Sequence, residues 1–179
     1  MILAGDEPIV HGRIGALYRY WESKRAGARF PGRAGIDPVD IPLILSHVLL
    51  IDVRREPLRF FFRVAGGAAD AIYGHQVTGL YLHQIRDTRL YDVEKTQYRE
   101  PVVTGRPCYH RNEAVDREGE IFRYERILLP LSADGETIDM LLGGVALLPL
   151  GADDRRFVFE PGAGGRVVAL VGVSDPLIA

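Results

Sequence analysis

The side chains best equipped for chemistry in this chain are scattered along it and form no motif. The five histidines are His11, His47, His75, His83 and His110, and none stands in the HExxH spacing that sets two imidazoles on one helix face for zinc. The single cysteine, Cys108, has no disulfide partner and no companion ligands for structural zinc, so near a strand start it reads as a small packing residue. Ser23, Ser46, Ser132 and Ser174 occupy no GxSxG elbow, and Asp70, Asp87 and Asp92 have no placed acid or base partner. Gly66-Gly67 lacks the GxxxxGKS/T or GxGxxG frame of a phosphate loop, and a turn needing positive φ is the expected reason for the pair. The residues specify no reaction, and a non-enzymatic role is expected.

Arg63 lies within an apolar run, where a guanidinium must either reach solvent or find a carboxylate. If it faces the interior, it could hold an acidic ligand by paired hydrogen bonds. The preferred alternative is a solvated place on the outer sheet face, paired near Glu125. Tyr124 poses the same choice, and Arg63, Tyr73 and Tyr124 are the candidate ligand contacts. His47, beside an apolar strand, reads as a satisfied boundary residue.

The elements that must position these residues follow from hydrophobic period. Val10, Ile14, Leu17, Tyr18 and Trp21 recur at steps of three and four, which predicts an amphipathic helix ending at AGARFPGRAG. Its apolar stripe must be covered by its own domain or by the same helix of a second copy. HVLLIDV (47–53) and LRFFFRVAG (58–66) predict an antiparallel hairpin. Strict alternation over the second run puts Leu58, Phe60, Phe62 and Val64 on one side and Arg59, Phe61, Arg63 and Ala65 on the other. Short helices follow to about Ile85. A longer helix over Thr88–Thr104 has Leu90, Tyr91, Glu94, Tyr98 and Val102 near one face, and Gly105 with Pro107 stops it. Strand-like runs at 107–115, 120–130 and 137–148, separated by DREGE and SADGE, predict a meander.

The resulting organisation is an N-terminal helix and linker (1–35), an α+β domain (36–150) and a C-terminal extension (151–179) that could add an edge strand. A mixed α+β fold with helices on one face of an antiparallel sheet is favoured, because alternating strand–helix units for a parallel sheet are absent. With 22 Lys+Arg against 24 Asp+Glu, the chain lacks the basic footprint of a nucleic-acid binder. The start of the chain has no basic-then-apolar leader, no apolar stretch is long enough to span a bilayer, and the lone cysteine fits a reducing setting. A cytoplasmic location, without nucleic acid or membrane as partner, is expected.

Several ordered stretches carry a resemblance: LYRYW (17–21), DPVDIP (37–42), LLIDV (49–53), FRVAGG (62–67), YGHQVTGLYL (73–82) and FRYERILLPLSADGETIDMLLGG (122–144). In this order the chain resembles the PAS domain, and more narrowly the short bacterial PAS family-5 group. The resemblance implies a PAS-like five-stranded antiparallel sheet, a cavity between that sheet and its helices, and a sensory or regulatory role. Such a domain would bind a small ligand or a protein partner, and ligand-dependent bias of sheet and helices would shift that partner interaction. A homodimer through the N-terminal helix is expected. By position His75 and His83 are the candidates for a haem ligand, with a surface or helix-capping role preferred; the residues themselves require no cofactor. GRPCYHRNE around Cys108 does not match the segment of flavin-binding light sensors. The alternatives are a protein-interaction or dimerisation module without ligand, and a small α+β cone enzyme of the isomerase or dehydratase type. A PAS sheet is expected to set the first two strands centrally between the later ones.

Overall fold

The structure is a computed structural model, and it describes residues 11–85, 88–115, 121–148 and 175–176. Helix α1 spans Gly12–Lys24 and is followed by short 3₁₀ turns to His47. Strands β1 (Val48–Arg54) and β2 (Arg59–Ala65) form the first hairpin. Helices α2 (Gly67–Tyr73), α3 (Leu82–Ile85) and α4 (Thr88–Thr104) carry the chain across to β3 (Cys108–Val115), β4 (Ile121–Leu131) and β5 (Met140–Leu148).

The strand order is β2-β1-β5-β4-β3, with every pair antiparallel. The first two strands therefore sit together at one edge, which corrects the expectation of a central placement. The helical crossover delivers β3 to the far side, and the β3–β4–β5 meander then fills inward until β5 meets the open edge of β1. Asp175–Pro176 (β6) pairs with Cys108 and Tyr109 on the outer side of β3. The apolar run expected as an added edge strand, residues 166–173, lies outside the described residues.

Alternation gives the sheet two covered faces. On one, Leu49, Ile51, Phe60, Phe62, Leu128 and Val145 pack against α2–α4. On the other, Ile14, Leu17 and Trp21 of α1 are buried on Leu50, Ile127, Leu129 and Leu142. The indole nitrogen of Trp21 donates to the Pro130 carbonyl at 2.8 Å, so its one polar atom is satisfied where the ring is buried. At Gly144 a Cβ would come within 2.7 Å of Leu17, so the bare backbone there lets α1 lie close. The apolar stripe of α1 is thus covered by its own sheet, one of the two covers its sequence allowed.

Strict alternation fails in β2. Leu50 pairs with Val64 but Ile51 pairs with Phe62, so Arg63 is the extra residue of a bulge. Beyond it the faces exchange: Val64 is exposed and Ala65 packs against the inner cluster. The Gly66-Gly67 expectation also needs correction. Gly66 has φ −75° and caps α2, and its need is space, since a Cβ would stand 2.3 Å from the Ser46 carbonyl oxygen. Helix α4 ends as expected, with Gly105 at φ +67° and its N–H donating to the Pro101 carbonyl at 3.0 Å.

Candidate functional site

The inner face carries a cation at its heart. Arg126 of β4 shares the parity of Tyr124 and Leu128, which turns it toward α2–α4, and it is 0 % exposed. Across the β3–β4 ladder, His110 stands opposite Arg126 and Asn112 opposite Tyr124. From above, α4 contributes Glu94, Gln97 and Tyr98, whose three- and four-residue spacing puts them on one helix face. The last turn of α2 contributes Tyr73 before the chain turns away at Gly74.

These side chains form one buried network. Arg126 Nη1 donates to Tyr98 Oη at 3.2 Å and Tyr73 Oη at 3.4 Å, and it lies 3.5 Å from Glu94 Oε1. Arg126 Nη2 donates to Gln97 Oε1. The guanidinium also lies over the Tyr98 ring, 4.5 Å from its centroid. Glu94 accepts from Tyr124 at 3.0 Å and Tyr73 at 3.4 Å, and Gln97 Nε2 donates to Asn112 Oδ1 at 2.9 Å.

Four nitrogens in this cluster have no hydrogen-bond partner among the described residues: Arg126 Nε, Asn112 Nδ2 and both ring nitrogens of His110. His110 Nε2 lies 3.5 Å from a Glu100 carboxylate oxygen, an ion-pair distance without the geometry of a hydrogen bond. Burial opposes the charge of Arg126, but Tyr98, Glu94 and the other tyrosines outweigh it and hold the guanidinium firmly protonated. Burial, and then the Arg126 charge, push His110 down to about 3, so its imidazole is neutral with one N–H and one lone pair.

Of the candidate ligand contacts, Tyr73 and Tyr124 belong to this network and Arg63 does not. Arg63 stands on the opposite face with its side chain 52 % exposed. Its Nε and Nη2 pair with the two carboxylate oxygens of Asp52 at 2.9 and 2.8 Å. Glu125, near which Arg63 was expected, is bonded elsewhere: it accepts from the His11 backbone N–H at 2.8 Å and from the Tyr109 hydroxyl.

His75 and His83 lie outside the cluster. His75 is half-buried with Nδ1 3.0 Å from the Tyr73 carbonyl oxygen, and His83 is exposed and stacked on Tyr81. His47 is satisfied just before β1, with Nδ1 2.9 Å from the Val145 carbonyl oxygen of the neighbouring β5. Cys108 is buried, and burial followed by the Glu100 charge pushes its thiol far up, so it stays protonated. Among the described residues no group of His, Cys, Asp and Glu could hold a metal ion.

Sequence reasoning placed Glu94 and Tyr98 on the buried side of α4 but passed over Arg126, His110, Asn112 and Gln97. One signal was available. In RYERILL, Arg126 has the parity of Tyr124 and Leu128, a charge at a position whose neighbours are all core.

A comparison with curated proteins finds no match. A protein-family model described as PAS domain matches residues 10–146, about three quarters of the chain, and includes α1, β1 to β4, most of β5 and the whole buried network. That match spans well over half of the sequence: the chain belongs to the PAS domain family, in its family-5 group.

Proposed function

We propose that this chain is a non-catalytic sensory or regulatory PAS domain that binds a small ligand between its sheet and α2–α4. The observation that carries the reading is the buried Arg126 network with its four unpartnered nitrogens. A buried ion pair adds little stability over an apolar replacement, and each buried polar atom left unpaired costs about 1–3 kcal/mol. A cluster of this kind in the middle of a core is poor packing and good recognition. The non-catalytic part of the reading is supported by protonation states: burial holds the Cys108 thiol protonated and so a poor nucleophile, and it leaves the His110 imidazole a weak base. Binding would be read out through β4, which carries Arg126 inward and Glu125 outward to the start of α1.

The test is native mass spectrometry of the full chain purified from cells, compared with its denatured mass, together with an absorption spectrum. A small molecule released on denaturation, and missing from Arg126→Gln, is the expected result. A chain that retains nothing and is stabilised by no member of a metabolite library removes the ligand reading. A Soret band would return attention to His75 and His83.

A second reading, a protein-interaction or dimerisation module in a cytoplasmic setting, is favoured by Val39 and Leu43, which are 81 % and 85 % exposed beside α1. Such apolar side chains suit a partner surface or a second copy. Size-exclusion chromatography of Leu43→Asp against the parent separates this reading from the first: a dimer lost in the variant supports it.

A further inference from the structure

The inference rests on the interior site proposed above and concerns what that site takes. Its open valences are of one kind. Arg126 Nε–H and Asn112 Nδ2–H are donors and nothing else, and a neutral His110 adds one donor and one acceptor. The acceptors available nearby are engaged: Gln97 Oε1 by Arg126, Asn112 Oδ1 by Gln97, and Glu94 by Tyr124 and Tyr73. The donors lie on adjacent positions of one ladder, His110 opposite Arg126 and Asn112 opposite Tyr124, all on the helix-facing side. An occupant that satisfies them must be rich in acceptors and small enough to lie over two neighbouring strands.

We propose that the interior site binds a small carboxylic acid, whose oxygens accept from Arg126 Nε, Asn112 Nδ2 and the ring N–H of His110, and which enters with one proton. Charge sets the second half of the statement. Arg126 and Glu94 already offset each other at 3.5 Å, so an added carboxylate would leave an uncompensated buried negative charge. A proton removes the imbalance. His110 is placed to hold it, with Glu100 on α4 3.5 Å from one ring nitrogen and the carboxylate on its other side offsetting Arg126 across the ladder. Phosphate fits less well, because a dianion would need a second cation and the described network has Arg126 alone.

The experiment is calorimetric titration of the full chain with pyruvate, succinate and benzoate, and with their amides, at two pH values a unit apart, alongside the native mass spectrum. The expected result is that an acid binds and its amide does not, with affinity rising up to about tenfold for the unit fall in pH. Asn112→Asp, which keeps the oxygen that Gln97 uses but replaces a donor by a negative acceptor, is expected to weaken that acid at least about tenfold. Arg126→Gln abolishes binding, and Asn112→Asp keeps the test alive if Arg126→Gln does not fold. A retained compound whose mass identifies a carboxylic acid has the same force as a titrated one. A retained compound with no acidic group overturns this inference and leaves the interior-site reading standing. Equal binding of the acid by Asn112→Asp, or binding indifferent to pH, also overturns it. If none of the acids binds and no acid is retained, this inference falls; the interior-site reading falls with it only when the chain also retains nothing and no member of the metabolite library stabilises it.

Discussion

Glu125 and Arg126 are consecutive residues of β4, both wholly shielded from solvent, and they carry opposite charges to opposite faces of the sheet. Arg126 meets α2 and α4, whereas Glu125 meets Tyr109 and the backbone entering α1. Strand alternation makes this unavoidable once both are in one regular strand. Each face of a thin sheet thus has a buried charge tied to the helix that covers it.

Removing either partner of the inner pair should be costly, and removing both less so. Arg126→Leu leaves Glu94 buried without its cation and is expected to lose about 3–5 kcal/mol. The double variant Arg126→Leu/Glu94→Gln should recover a substantial part of that loss. Urea unfolding of the single and double variants measures the coupling, and strictly additive losses would contradict the pairing.

Glu125→Ala leaves the Tyr109 O–H and the His11 N–H without their acceptor, while Arg111 Nε still donates to the Tyr109 oxygen, and it is expected to cost about 2–4 kcal/mol. On the same face Trp21→Ala should cost about 3–5 kcal/mol through the lost indole volume. Trp21→Phe, which keeps most of the packing and leaves the Pro130 carbonyl without its donor, should cost about 1–2 kcal/mol. If Trp21→Ala melts like the parent, α1 does not pack on the sheet in solution.

Stability should fall in mild acid. The folded-state pKa of His110 is depressed to about 3 from the ordinary 6.5, so the unfolded chain binds the proton more readily. This contribution is fully present above the unfolded value and is lost as pH falls from about 6.5 toward about 3, at up to about 1.4 kcal/mol per pH unit. Burial lowers His47 as well and acts in the same sense. Urea midpoints measured across this window should drop less steeply for His110→Gln than for the parent; identical slopes would mean that His110 does not titrate in this way.

Gly66 and Gly67 are adjacent in sequence and opposite in consequence. Gly66→Ala drives a Cβ into the Ser46 and Leu45 carbonyls, and the expected result is a destabilisation above about 3 kcal/mol. Gly67→Ala meets nothing within 4 Å at the first position of α2, and a neutral to stabilising change of up to about 1 kcal/mol is expected. Thermal melts of the two variants side by side decide the point.

Cys108 offers a check on core integrity. Buried and held protonated, its thiol should react with a disulfide reagent only after unfolding, whereas an immediate reaction in the native state would place it at an accessible surface.

Much of this was written in local sequence. The spacing of Ile14, Leu17 and Trp21 determined an amphipathic helix, alternation determined the strands, and Gly105 determined where α4 stops, because each depends on neighbours a few residues away. The face of α4 that buries Glu94 and Tyr98 was legible for the same reason. What α1 covers was not, since an apolar stripe asks for a cover without naming it; the sheet's outer face, with Gly144 beneath Leu17, supplied the answer. The bulge at Arg63 was hidden too, because an extra residue is defined only against its partner strand, and it took a ladder with β1 to send Arg63 to Asp52 and Val64 to solvent. The candidate site lay furthest from reach. Tyr73, Glu94, Gln97, Tyr98, His110, Asn112, Tyr124 and Arg126 come from two helices and two strands, and their hydrogen bonds span up to 53 positions of sequence. Sequence determined that Glu94 and Tyr98 share one face of α4, whereas only the closing of helices over sheet decided that this face meets Arg126, His110 and Asn112, because those contacts join residues far apart in the chain.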